Sequence, residues 1–156
     1  IPLYTTPSAI ESIKSRFHYL FGAGRYPGST RVQLHAMNDP IQVGPFTITA
    51  IPAKHGELDI IGFKINDLCY LTDVKELPEE SKSLLKDVQV IILSALRWEP
   101  EHPTHLSIPD AVDLISELGI PEAYLIHMNG QTKHNPSNKR LPDHVKLAYD
   151  QQTIYL

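Results

Sequence analysis

Three side chains able to bind a metal ion stand at one kind of position, the C-terminal end of an apolar run: His55 after "ITAIPAK", Asp73 after "CYLT" and His127 after "AYLI". Neutral imidazole and carboxylate are standard ligands for zinc, manganese or iron, and the two oxygens of a carboxylate can bridge two ions as a single histidine cannot. A metal site forms if those strand ends meet. His105, just before Ser107 at the head of an apolar helical stripe, is a fourth candidate. Its place beside a helix N-terminus suits a phosphate contact or proton transfer to a leaving oxygen. Each residue also has a plainer reading. A lone strand-end histidine is more often a surface or hydrogen-bonded residue than a ligand, and Asp73 could equally cap the turn "TDVKE". The conjunction of three strand-end positions is what favours a metal site. His18, His35, His102, His134 and His144 lie on helix or loop surfaces or beside prolines and take no role in this reading.

The elements that position these residues follow from apolar periodicity. "IPLY" reads as a short strand, and Thr6 followed by Pro7 opens a helix as N-cap and first helical residue. Ile10, Ile13, Phe17, Leu20 and Phe21 predict that one face of residues 7–20 packs on a core, with Gly22 and Gly24 as the stop. Residues 23–40 read as a long connection with at most a short strand at "RVQLHA". "PFTITAIPA" alternates as a half-buried strand expected to end near Pro52. "IIGFKI" and "LCYLTD" are strands around the turn "NDL", "VQVIILSA" is a strand from the middle of a sheet, and "LPEESKSLLKD" between them suits a short helix. Ser107 with Asp110 resembles a capping box, and Ile108, Ala111, Val112, Ile115 and Leu118 form one stripe ended by Gly119. "EAYLI" is another buried strand, and "HVKLAYDQQTIYL" reads as a hairpin turning at Asp150-Gln151. Strand, helix, many strands, helix, strand, hairpin is an α/β (α+β) order, sheets covered by helices.

The chain of 156 residues fits a single domain. A net charge of −4 and a pI near 6.0 give no general attraction to phosphate backbones, so nucleic acid is disfavoured as a partner. The one cysteine, Cys69, excludes an internal disulfide, reads as a buried small hydrophobe and points to the cytoplasm. No apolar stretch approaches the ~20 residues of a membrane span. The chain starts at Ile1 on strand-like text, so its start is expected to be cut from something longer.

The ordered series "PAKHG", "GFKI…LCYLTD", "VQVIILSALR…HPTHLSIPDAVDLI", "YLIHM" and "LPDHVKLAYDQQTIYL" resembles the C-terminal two-thirds of the metallo-β-lactamase-fold hydrolases. Within them it is most similar to the branch of phosphoribosyl cyclic phosphate phosphodiesterases and tRNA 3′-processing ribonucleases. The resemblance implies an αββα sandwich with two divalent metal ions, zinc, manganese or iron, at the sheet edges. It implies His55 as a ligand of the first ion, Asp73 as the carboxylate bridging both and His127 as a ligand of the second. His105 would help position phosphate and protonate the leaving group, with Asp73 beside it in the catalytic set, and Asp150 would be structural.

Two departures accompany the resemblance. The family's His-x-His-x-Asp-His loop is absent, since no two of the eight histidines are separated by one residue. Residues 1–156 are therefore expected to be one N-terminally truncated domain of that fold, with weak or no metal binding and little hydrolysis on its own. Gly130 also stands where relatives commonly have histidine. The intact parent is expected to be a metal-dependent phosphodiesterase acting on a small phosphorylated, cyclic substrate. The alternatives are a tRNA 3′-processing-type ribonuclease and a non-catalytic binding domain that retains the fold. Apolar edges exposed by truncation lead to an expected homo-oligomer. Specificity is expected in residues 23–40 and in "RWEPEHP", where Arg97 and Trp98 read either as substrate contacts or, more plainly, as a surface arginine and a packing tryptophan.

Overall fold

A computed structural model describes residues 1–22, 25 and 28–155 of the chain, which divides into two units, Ile1–Ile41 and Gln42–Leu156. In the first, β1 (Pro2–Thr5) pairs in parallel with β2 (Gln33–Ala36), the strand expected in "RVQLHA". Thr6 caps α1 (Pro7–Arg16) by accepting a hydrogen bond from the Ala9 amide at 3.2 Å. The helix ends four residues short of its sequence expectation, and a 3-10 turn, His18–Leu20, replaces its last turn. Of its stripe only Ile10 is buried, while Phe17 is exposed and leaves helical backbone at φ −115°. Without packing, propensity does not sustain a short helix. The stop expected at Gly24 lies outside the described residues, as do positions 23, 26 and 27 of the expected connection.

A seven-stranded sheet dominates the second unit, in the order β3 (Ile41–Val43), β4 (Phe46–His55), β5 (Leu58–Ile65), β6 (Leu68–Leu71), β7 (Val90–Ser94), β8 (Glu122–Ile126), β9 (Val145–Leu147). β4, β5 and β6 are antiparallel to one another, whereas β6, β7, β8 and β9 run parallel. The parallel connections carry α2 (Glu79–Ser83), α3 (Ile108–Leu118) and α4 (His134–Asn138). The sequence patterns had pointed to α2 and α3 but not to α4 or β3, and β6 stops at Leu71, two residues short of the expected "LCYLTD".

Two expectations need correction. β4 does not end near Pro52 but continues to His55. The Pro52 carbonyl accepts from Ser81 Oγ at 2.6 Å, and the Lys54 amide donates to the Glu76 carbonyl at 2.9 Å, so backbone groups at both positions face away from β5. A proline there removes no ladder bond with β5, and the strand passes through it. Among the described residues the C-terminus forms no hairpin. β9 pairs in parallel with β8, the chain turns at Asp150-Gln151, and residues 152–155 form no strand.

The core gathers Leu71, Ile91, Leu93 and Leu125 from the parallel strands with Ile108, Ala111 and Ile115 from α3. α3 is held at its start by reciprocal 3.2 Å bonds between Ser107 and Asp110 and ends on Gly119 at φ 65°. Cys69 is fully buried, and burial pushes its thiol up to about 12, so it packs as an inert hydrophobe. Among the described residues no helix is long and apolar enough to cross a membrane.

Candidate metal centre

Parallel strands bring their C-terminal ends to one edge of a sheet, where α/β folds place their ligands. Here Leu71, Leu93 and Leu125 are paired in one row across β6, β7 and β8. Two residues further along each strand stand Asp73, Ala95 and His127. The register therefore sets Asp73 and His127 level, with the small, buried Ala95 between them. Both flanking residues leave the strand through left-handed backbone, Asp73 at φ 57° and His127 at φ 66°. Non-glycine residues pay for that conformation with strain, and such strain collects at functional sites. Their side chains meet, with His127 Nε2 3.4 Å from Asp73 Oδ1.

His105 arrives from the loop before α3. The Leu106 amide donates to the Val74 carbonyl at 3.0 Å, and the Leu106 carbonyl accepts from the Leu96 amide at 2.9 Å, so the next residue is stapled to the ends of both β6 and β7. His105 Nδ1 thereby lies 3.8 Å from Asp73 Oδ1. It is buried and has no hydrogen-bond partner. Burial first, then the neighbouring His55, His127 and His102, lower the His105 pKa against the opposing pull of Asp73, favouring the neutral ring with a lone pair to offer.

Asp73, His105 and His127 each offer one donor atom, all within 4.8 Å of one another. Two donors about 2.1 Å from a tetrahedral ion stand about 3.4 Å apart, which is the His127–Asp73 separation. An orphaned imidazole nitrogen, a second imidazole and a carboxylate fit a divalent transition-metal ion. His55 stands beside this set, its ring centroid 4.7 Å from that of His105, but its donor is not among the converging three. Its Nδ1 donates to the Thr104 carbonyl at 2.8 Å, which leaves Nε2 with a free lone pair, the arrangement typical of a ligating histidine. The geometry thus gathers His105 with Asp73 and His127 and sets His55 next to them.

Sequence reasoning passed over His102, whose ring lies 5.0 Å from that of His105. The "HPTH" spacing was its only signal. The helix N-terminus behind His105 offers no free amide to an anion. The Ser107 and Asp110 amides are used by the capping box, the Ile108 amide donates to the Arg97 carbonyl, and Pro109 has none. Arg97 spends its Nε and Nη2 on the carbonyls of Pro100 and Glu101. Trp98 packs under Arg140, 3.6 Å from the ring centroid, and donates Nε1–H to Ser137 Oγ. A cavity of about 240 Å³ adjoins the centre, lined by Ile126, His127, Met128, Ala148, Tyr149 and Asp150.

Residues 1–128 match the family described as "Beta-lactamase superfamily domain". The chain belongs to that family. Its fold is the metallo-β-lactamase fold, also seen in a diphosphatase of the PhnP family, 28% identical with a TM-score of 0.83 over 96% of this chain and 56% of that one. Zn2+-bound PqqB from Methylobacterium extorquens is 15% identical with a TM-score of 0.70 over 100% of this chain and 65% of that one, a likeness of fold. A curated protein of Porphyromonas gingivalis named octanoyltransferase is 33% identical over 153 residues, 96% of this chain and 31% of that protein. The chain thus spans about a third of the curated relative and just over half of the diphosphatase.

Proposed function

We propose that this chain carries metal-binding and substrate-binding residues of a metal-dependent hydrolase that cleaves phosphoesters, with small cyclic phosphodiesters as the preferred substrate class. The observation that carries the reading is the convergence of Asp73, His105 and His127 on one point where His105 Nδ1 is buried without a partner. These residues would hold a divalent ion, which would supply Lewis acidity toward a phosphoryl oxygen and lower the pKa of a bound water. Asp73 contributes the negative charge, His105 a lone pair kept unprotonated by its surroundings, and His127 Nε2 the third donor. His55 adds a fourth imidazole whose orientation is set by Thr104. Among the described residues these are donors for one ion, and a second ion needs more.

Support for phosphorus chemistry comes from the PhnP-family neighbour named a diphosphatase. The acidic balance, −4, favours a small substrate over RNA. Acyl transfer, the activity in the P. gingivalis protein's name, finds no cysteine nucleophile here, since Cys69 is buried with its thiol pushed up to about 12. The test is metal content by mass spectrometry, then hydrolysis of a cyclic ribose phosphate, on this chain and on its natural full-length gene product. Stoichiometric metal that is lost in Asp73→Asn and His127→Asn, with turnover that disappears alongside it, is the expected result. A full-length protein that takes up no divalent ion, or one that binds it with Asp73 and His127 both replaced, sinks the reading.

A further inference from the structure

The loop from Arg97 to His105 is fastened at several points, and what it presents is His102. Arg97 grips the Pro100 and Glu101 carbonyls just before it. Just after it, Thr104 bonds in three directions. Its amide donates to His102 Nδ1 at 3.3 Å, its Oγ1 lies 3.2 Å from the same nitrogen, and its carbonyl accepts from His55 at 2.8 Å. Gly56, next to His55, lets Thr104 come this close, because a Cβ there would stand 2.9 Å from Thr104 Cγ2.

The chemistry of that contact decides the form of His102. A backbone N–H can only donate, so Nδ1 must accept, and the ring proton of the neutral imidazole sits on Nε2. Nothing among the described residues accepts from Nε2. His102 therefore holds an unspent N–H donor on a half-buried ring 5.0 Å from His105. Several other donors are already engaged: the first amides of α3 by its cap, Arg97 Nε and Nη2 by loop carbonyls, and Lys75 by Asp110 at 3.8 Å.

We propose that His102 is a further substrate-binding residue of the centre, donating its Nε2–H to a non-bridging oxygen of a phosphoryl group, with Thr104 as the positioning residue that fixes its tautomer. The proposal rests on the phosphoester reading above for its ligand class. It assigns a phosphoryl contact to His102, where the sequence had pointed to His105 beside the helix N-terminus.

Two substitutions separate a donor from a mere packing ring. His102→Gln keeps an N–H at similar reach, whereas His102→Phe keeps a ring against His105 and has no donor. Zn2+ affinity is measured first by calorimetry on the chain and both variants, and inorganic phosphate is then titrated into the Zn2+-loaded proteins. Zn2+ affinity is expected to stay within about threefold, and phosphate to bind about tenfold or more weakly to the Phe variant but near normally to the Gln variant. Phosphate bound equally by wild type and His102→Phe, or a loss in Gln matching that in Phe, overturns the proposal. If the wild-type chain takes up no Zn2+, the metal reading fails on its own. The His102 proposal is then read from imidazole 15N–1H spectra of the metal-free chain in millimolar phosphate. A protonated Nε2 whose signal moves with phosphate supports it. A protonated Nδ1, or an unmoved Nε2 signal, overturns it.

Discussion

Replacing Gly56 by alanine presses on the joint that holds His55, Thr104 and His102 together. Gly56 adopts φ +60°, and an added Cβ would meet Thr104 Cγ2 at 2.9 Å, with Thr104 Cβ at 3.7 Å and the Pro103 carbonyl at 3.9 Å. Only the methyl is too close, by about 0.5 Å relative to ordinary contact. Thr104 cannot rotate away without giving up the Oγ1 contact to His102, and its backbone is tied to His55 and His102. Left-handed backbone costs a non-glycine residue about 1–2 kcal/mol and overpacking about 1–3 kcal/mol, so Gly56→Ala is expected to lose about 2–5 kcal/mol. Thr104→Ser deletes the offending methyl and keeps the hydroxyl. In the double variant the steric part disappears and the backbone part remains, giving a favourable coupling of about 1 kcal/mol or more. Urea unfolding of the four proteins in chelator, where bound metal cannot add stability, measures the cycle. Losses that add within about 0.5 kcal/mol refute the assigned contact, as does a Gly56→Ala protein as stable as wild type.

Three further outcomes follow from the geometry. His105→Asn should weaken Zn2+ or Co2+ binding by about tenfold or more in calorimetry, and by more than His55→Asn does; the opposite order would show that His55, not His105, completes the donor set. His127→Val should be less stable than His127→Asn by about 1–2 kcal/mol in metal-free thermal unfolding, because φ 66° is tolerated by asparagine and strained for a β-branched residue; equal midpoints count against that strain. Finally, burial and then the neighbouring histidines hold the His105 pKa below its ordinary value near 6.5. As pH falls from above 6.5 through the lower folded value, the unfolded chain binds more protons, so this residue makes metal-free stability rise with pH across that window. His105→Asn should flatten the slope there, and an unchanged slope in equilibrium unfolding between acid and neutral pH would contradict the assignment.

Local signals were enough for the elements whose ends are written in consecutive residues. Thr6-Pro7 marked the start of α1, and Ser107, Asp110 and Gly119 bounded α3. They failed where a partner outside the segment sets the outcome. Pro52 reads as a strand breaker, yet its carbonyl turns away from β5 to Ser81, so the strand passes through it. "TIYL" reads as a returning strand, yet β9 takes β8 as its partner and leaves that tail unpaired. α4 is a five-residue helix without a side-chain cap, too short to write a periodic pattern.

The sequence by itself named candidate donors: apolar runs that end on His55, Asp73 and His127, with His105 ahead of a well-capped helix. A strand terminus is a local property, set by where apolar alternation stops, so it can be read from one segment at a time. Which donors share a point was decided by tertiary structure alone. The common row of Leu71, Leu93 and Leu125 levels Asp73 with His127, and the Leu106 backbone bonds to Val74 and Leu96 bring in His105. The Thr104 contacts that fix His102 and orient His55 likewise join residues far apart in the chain. Register and cross-strand hydrogen bonds are relations between segments, and no single segment carries them.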